Sequence, residues 1–88
     1  MTTQTATVVN ALGLHARAAA RFVKLAARFR SQIKVTRGSR TTDGKSILGL
    51  LLLAAARGAA LTISAEGVDE VEAVAALCAL TSQGFEDQ

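Results

Sequence analysis

The apolar residues of this chain change period several times within 88 residues, and that rhythm limits the folds open to it. Thr3 to Val9 (TQTATVV) is rich in β-branched residues and reads as a strand that ends at the Asn10–Gly13 loop. From Ala16 the period lengthens: Phe22, Leu25, Ala26 and Phe29 recur at helical spacing, which predicts an amphipathic helix running to about Arg28 or Arg30. Ile33 and Val35 then alternate with Gln32, Lys34 and Thr36, and the Arg37-Gly38-Ser39 turn predicts a hairpin returning along Arg40 to Asp43. Ser46 is a good N-cap for a helix through Ile47 to Ala56, ended by the basic Arg57 and by Gly58. Leu61, Ile63 and Ala65 alternate as a fourth strand. Asp69 and Glu72 have capping-box spacing ahead of a last helix whose apolar face is Val71, Val74, Leu77 and Cys78 or Leu80, fraying near Ser82 to Gly84. The order is βαββαβα. A chain of this size closes one core, so a single domain over 1–88 is expected, of α+β class, with three helices on one face of a four-stranded antiparallel sheet.

Composition narrows the function classes. The only aromatics are three phenylalanines, so the core must be built from Leu, Val, Ile and Ala, and its layers must approach closely. The single Cys78 has no disulfide partner and is expected half-buried in the last helix, and the chain opens on no signal-peptide pattern; a reducing cytoplasm is the expected setting. The longest apolar run, Ile47 to Ala56, falls short of the roughly 20 residues of a membrane span. A net charge of +3 suits acidic partners, but without Trp or Tyr there is no stacking platform, and nucleic acid is not an expected partner. With no Gly-rich phosphate loop and no carboxylate cluster for magnesium, neither metal nor cofactor is expected.

The one histidine stands in NALGLHARAAARF, residues 10–22, where a loop gives way to a helix. A lone histidine is by default a surface or hydrogen-bonded core residue. His15, however, falls at or beside the N-cap, where the first-turn N–H groups of Ala16, Arg17 and Ala18 have no intrahelical partner. Those donors and the positive end of the helix dipole suit a phosphoryl group, and Arg17 adds a charged fork. The same dipole disfavours imidazolium and leaves a ring nitrogen able to attack phosphorus, so nucleophile and anion cradle coincide.

Arg17, Arg21, Lys24 and Arg28 recur at steps of four, three and four, a basic stripe leading away from His15. A solvated face is the bland reading, and it suits Arg28 best; for the three nearest His15 a docking rail for an acidic protein is the sharper one. The segment Ile47 to Ala56 is apolar all round, so some of its side chains must face water; Ile47, Leu48 and Leu51 are candidates for an apolar docking patch.

These residues also carry a resemblance. GLHAR followed by AA-x-F, then KSI-x-G, then AEG-x-DE, in this order and spacing, resemble the HPr family, the histidine-containing phosphocarriers of the bacterial phosphoenolpyruvate-dependent sugar phosphotransferase system, over essentially the whole chain. The resemblance implies an open-faced sandwich with sheet order 1-4-2-3 and a carrier that is not itself an enzyme. It implies that His15 accepts a phosphoryl group on Nδ1 from enzyme I and passes it to IIA proteins, with Arg17 assisting. Ala20, Arg21, Lys24, Ile47, Leu48, Gly49 and Leu51 match its docking surface, and Ser46 matches a serine that an HPr kinase/phosphorylase modifies. The nitrogen-related phosphotransferase carrier shares the fold and the histidine, and a regulatory docking module acting through Ser46 is the third reading.

Two residues depart from the family pattern. Ala18 stands where proline is usual, losing its preset φ and returning one N–H, but alanine is the best helix former and the helix is expected to survive. Leu52 stands where a small polar residue is common and would favour self-association, although a monomer is the default expectation.

Overall fold

Threonine-rich segments make strands of Thr2–Thr7 (β1) and Arg40–Asp43 (β3), period-two alternation makes strands of Gln32–Arg37 (β2) and Ala60–Glu66 (β4), and the helical stretches form α1 (Ala16–Ala26), α2 (Ile47–Leu52) and α3 (Glu70–Ser82). The computed structural model describes residues 1–86; the last two positions of the expected 1–88 domain lie outside the described residues. The four strands form one antiparallel sheet in the order β1-β4-β2-β3. Its inner face carries Ala6, Ile33, Val35, Leu61, Ile63 and Ala65, all buried with Phe22 of α1, Leu50 of α2 and Leu77 of α3 in one core. Its outer face is a field of hydroxyls. Thr5 and Thr62 approach to 3.2 Å and Thr36 and Thr41 to 2.9 Å across neighbouring strands, so β-branched side chains serve the strand conformation without exposing apolar surface.

Both shorter helices end earlier than their periodicity predicts. Helix α1 stops at Ala26, where i to i−3 bonds from Arg28 to Leu25 and from Phe29 to Ala26 tighten the last turn. Helix α2 stops at Leu52 because Ala54 adopts a left-handed backbone with φ 52°, turning the chain so that the Ala55 carbonyl can accept Leu14 N–H at 2.9 Å. The basic groups at its C-terminus are therefore not Arg57. Arg37 and Arg40 reach across from the hairpin and donate to the carbonyls of Leu53 (3.1 Å) and Leu52 (3.0 Å). An L-residue in this conformation costs about 1–2 kcal/mol, and glycine returns about 0.4–1 kcal/mol of that through a freer unfolded chain. Ala54→Gly is therefore expected to stabilise the fold by about 0.5–1 kcal/mol, read as a raised denaturation midpoint at unchanged slope.

The capping box at α3 does not form. Asp69 sits at the N-cap position with its carbonyl accepting Ala73 N–H at 2.9 Å but with no side-chain bond to the helix, and its carboxylate instead accepts Arg30 N–H (2.8 Å), Ser31 N–H (3.0 Å) and the Ser31 hydroxyl (2.5 Å). Glu70 takes the local role, accepting Gly67 N–H at 3.2 Å and the Thr2 hydroxyl at 2.7 Å. Of its expected face, Val74, Leu77, Cys78 and Leu80 are buried, joined by Ala73 and Thr81, and only Val71, in the first turn, is exposed. Cys78 is only 4 % exposed, deeper than expected, and burial pushes its thiol pKa up. Beyond α3, Gly84, Phe85 and Glu86 have φ of 72°, 58° and 60°, a left-handed turn that returns Phe85 fully into the core.

These carboxylates set an acid limit. The Ser31 hydroxyl, then the Arg30 N–H, hold Asp69 below the usual carboxylate range; the Thr2 hydroxyl, then Gly67 N–H, hold Glu70 at about 2. A folded pKa below the unfolded one gives stability that is complete above the unfolded value and is lost as pH falls through the folded one. Asp69→Ala is thus expected to lower the melting temperature by roughly 5 °C or more at pH 7, and the gap from the parent should narrow below pH 4, where the parent loses the same contribution. A gap independent of pH would show that the charge on Asp69 does not matter.

Candidate functional site

The loop before α1 is built to aim one side chain. Asn10 Nδ2 donates to the Gly13 carbonyl at 2.8 Å, Gly13 N–H returns to the Asn10 carbonyl at 3.1 Å, and Gly13 takes φ 66°. Gly13 lies so close to the Ala55 carbonyl and Ala56 that no side chain would fit there. Leu14 is buried and tied through its N–H to Ala55, so the next residue, His15, leaves the core at a fixed point. Asn10 and Ala55 escaped the sequence reading. Asn in a loop was the only signal for one, and a backbone carbonyl leaves none.

His15 is the N-cap of α1, with extended backbone (φ −80°, ψ −177°) and its carbonyl accepting Ala19 N–H at 2.8 Å. Its Nδ1 accepts the Arg17 backbone N–H at 3.3 Å. An accepting Nδ1 means that the neutral ring carries its proton on Nε2, so the Nδ1 lone pair faces the helix N-terminus. Ala16 and Arg17 are exposed in this first turn, whereas the Ala18 side chain is fully buried and the helix starts at Ala16 without a proline.

The other candidate residues fall into two groups. Ala20 and Lys24 are exposed on α1, and Ile47 and Leu48 are exposed on α2. Leu51 is half-buried, and Leu52, one turn beyond Leu48, is 62 % exposed. Gly49 is part-exposed, and a side chain there would strike the Thr42 hydroxyl, so its smallness serves packing of α2 on β3. Arg21 is half-buried, and its Nη1 donates to the carbonyls of Phe85 (2.9 Å) and Glu86 (2.8 Å). Leu12, in the loop ahead of His15, is exposed apolar surface that the sequence reading passed over. Ser46 caps α2, its hydroxyl accepting Gly49 N–H at 3.0 Å. Among the described residues no group of three or more His, Cys, Asp or Glu is placed to hold a metal, and no helix is long and apolar enough to cross a membrane.

A family model described as the phosphotransferase-system HPr component phosphorylation site matches residues 2–83. The chain belongs to the HPr family. HPr from Cupriavidus necator is 48% identical over 79 residues, covering 90% of this chain and 89% of that one. The phosphocarrier NPr of Shewanella violacea is 38% identical over 81 residues, covering 92% of this chain and 89% of that relative. The crystal structure of HPr-C-His from Thermoanaerobacter tengcongensis superimposes with a TM-score of 0.94 at 41% identity, covering 100% of this chain and 99% of the other. The open-faced sandwich that the resemblance implies is thus the fold observed, and the chain is a phosphocarrier of the phosphotransferase system, a carrier and not an enzyme.

Proposed function

We propose that Nδ1 of His15 accepts a phosphoryl group from the phosphohistidine of enzyme I and passes it to IIA proteins of the sugar branch. The observation that carries this reading is the Nδ1 lone pair held against the Arg17 N–H at the start of α1. In the first transfer the Nδ1 lone pair forms the new N–P bond while the bond to the enzyme I imidazole breaks and its electron pair returns to that ring; in the second, the IIA acceptor forms the new bond to phosphorus while the Nδ1–P bond breaks and its pair returns to His15. Nothing is oxidised, and donor and acceptor rings exchange roles without a net proton. The transferring group is loose and anionic, so catalysis is positioning and charge stabilisation. The Arg17 N–H is in place to pass from Nδ1 to a phosphoryl oxygen, and the Arg17 guanidinium, exposed in the same turn, supplies charge. Lys24 and the exposed Ile47, Leu48 and Leu52 give an acidic partner with apolar surface both halves of a docking site.

Ser46 is the proposed regulatory position in a cytoplasmic, monomeric carrier. A phosphate there would replace a hydroxyl cap and set a charge of about −2 beside Ile47 and Leu48, opposing an acidic partner. The NPr relative keeps the nitrogen-related branch as the second reading. The test is incubation with phosphoenolpyruvate, magnesium and enzyme I of either branch, looking for one acid-labile, alkali-stable phosphoryl group per chain. Its appearance supports the carrier reading, and the enzyme I that charges the chain at lower concentration identifies the branch. No phosphoryl group with either enzyme would turn the assignment toward the regulatory module acting through Ser46.

A further inference from the structure

Local preference favours a longer α2 than the one observed. Residues 47–56 are mostly leucine and alanine, both good helix formers, yet the helix ends at Leu52 and residues 54–56 take no regular structure. The N–H groups of Leu53 and Ala54 close i to i−3 bonds on the carbonyls of Leu50 (3.2 Å) and Leu51 (3.0 Å), and Ala54 then turns left-handed, a strained conformation for an L-residue. A continued helix would instead give the carbonyls of Leu52 and Leu53 to the N–H groups of Ala56 and Arg57. Those two carbonyls are the ones the hairpin binds: Arg40 Nη1 donates to Leu52 at 3.0 Å and Arg37 Nη1 to Leu53 at 3.1 Å. The route that follows brings the Ala55 carbonyl to Leu14 N–H and sets Ala55 and Ala56 against Gly13. Downstream, Val8 holds the same segment, accepting Gly58 N–H at 2.7 Å and donating to the Ala59 carbonyl at 2.9 Å. The loop ahead of His15 thus rests on a strap fixed at both ends.

We propose that Arg37 and Arg40 are positioning residues for phosphoryl transfer: by ending α2 at Leu52 they hold the strap that fixes Leu14, and through Leu14 they place the imidazole of His15. The proposal rests on the reading of His15 as the phosphoryl acceptor and adds to it a support supplied by the β2–β3 hairpin. Burial of Leu53 and Ala55 settles where their side chains go. The direction of their carbonyls turns on the backbone of Ala54 between them, and the two guanidinium donors hold the upstream side of that turn. Without them the strained Ala54 is drawn toward helix, and the Ala55 carbonyl toward a bond along α2 in place of Leu14.

The experiment replaces both arginines by methionine, which keeps a long side chain and removes donor and charge, and reads two quantities at a temperature where every protein is folded. One is amide hydrogen exchange by NMR, Leu14 against the amides of the central strand β4. The other is single-turnover transfer from phospho-enzyme I, resolved into a saturating rate and a half-saturating concentration, at low ionic strength and in about 0.5 M salt. Leu14 is expected to lose protection about tenfold beyond any loss in β4, and the saturating rate to fall about three- to tenfold at both salt concentrations. Adding Ala54→Gly, which removes both the strain and the helical preference at that position, should recover most of both losses. A defect confined to the half-saturating concentration and gone in high salt would make the arginines charges that meet the partner, and would overturn the positioning role. Leu14 protection lost only in step with β4 would make them general supports of the fold and overturn it too. A loosened Leu14 with an unchanged saturating rate would overturn it while leaving His15 as the acceptor. A parent chain that phospho-enzyme I does not charge would remove the acceptor reading, and the proposal with it.

Discussion

His15→Ala is expected to take the acid-labile phosphoryl group below detection and also to lower the melting temperature. The sequence alone suggests a surface imidazole whose loss leaves the melt nearly unchanged. The bond from Arg17 N–H to Nδ1 changes that expectation, because the side chain is the N-cap of α1. Loss of an N-cap costs about 1 kcal/mol, or about 4–8 °C in a domain of this size, and the 3.3 Å length points to the lower end of that range. His15→Asn separates the two roles. Asparagine is a strong N-cap but no phosphoryl acceptor, so this variant should melt close to the parent and remain uncharged by enzyme I. An alanine variant that melts like the parent would remove the capping role, and one that still gained an acid-labile phosphate would move the acceptor away from His15.

Gly13→Ala should damage stability and transfer together, although residue 13 touches no phosphoryl group. Gly13 has φ 66°, and a methyl group built on it would collide with the Ala55 carbonyl oxygen and come within 3.0 Å of the Ala56 Cα. The left-handed backbone costs an L-residue about 1–2 kcal/mol, and displacing Ala55 weakens the Leu14 bond by a further ~1 kcal/mol. A total loss of about 2–3 kcal/mol is expected. Because Leu14 is the anchor immediately before His15, the shift passes to the imidazole, and a displacement of about 1 Å at a reacting group is enough to cost up to about a hundredfold in rate. Single-turnover transfer from phospho-enzyme I, measured where the variant is still folded, should fall about 10- to 100-fold. Gly38→Ala is the control: φ is 60° there too, but the space around it is open, so it should lose stability through strain alone and transfer normally. A Gly13 variant that transfers at the parent rate would mean that the loop does not position the histidine.

Several features were legible because their physics is local. Strands β2 and β4 follow from alternation over a handful of neighbours, as with Leu61, Ile63 and Ala65, all three of which are buried. Ser46 before an apolar helix reads as an N-cap because a hydroxyl there meets an N–H three residues on, and it does. The placing of His15 at a helix start has the same origin. The misreadings have the opposite character. Asp69 was read as a cap for the helix that follows, but its partners are Arg30 and Ser31, far back in the chain. The partners of Arg21, which shares its stripe with Arg17 and Lys24, are equally distant, being carbonyls 64 and 65 positions on.

By itself, then, the sequence determined the element order, the core faces of β2 and β4, and the position of the one nucleophilic histidine at a helix N-terminus. Periodicity and capping depend only on residues within a turn or two of one another. The tertiary structure alone decided where α2 ends, what fixes the loop ahead of His15, and how much of the basic stripe is available to a partner. Each of these turns on a backbone carbonyl supplied by a distant segment: Ala55 for Leu14, Leu52 and Leu53 for the hairpin arginines, and Phe85 and Glu86 for Arg21. A carbonyl is common to every residue and leaves no mark in the sequence, so only the folded chain shows which ones are used.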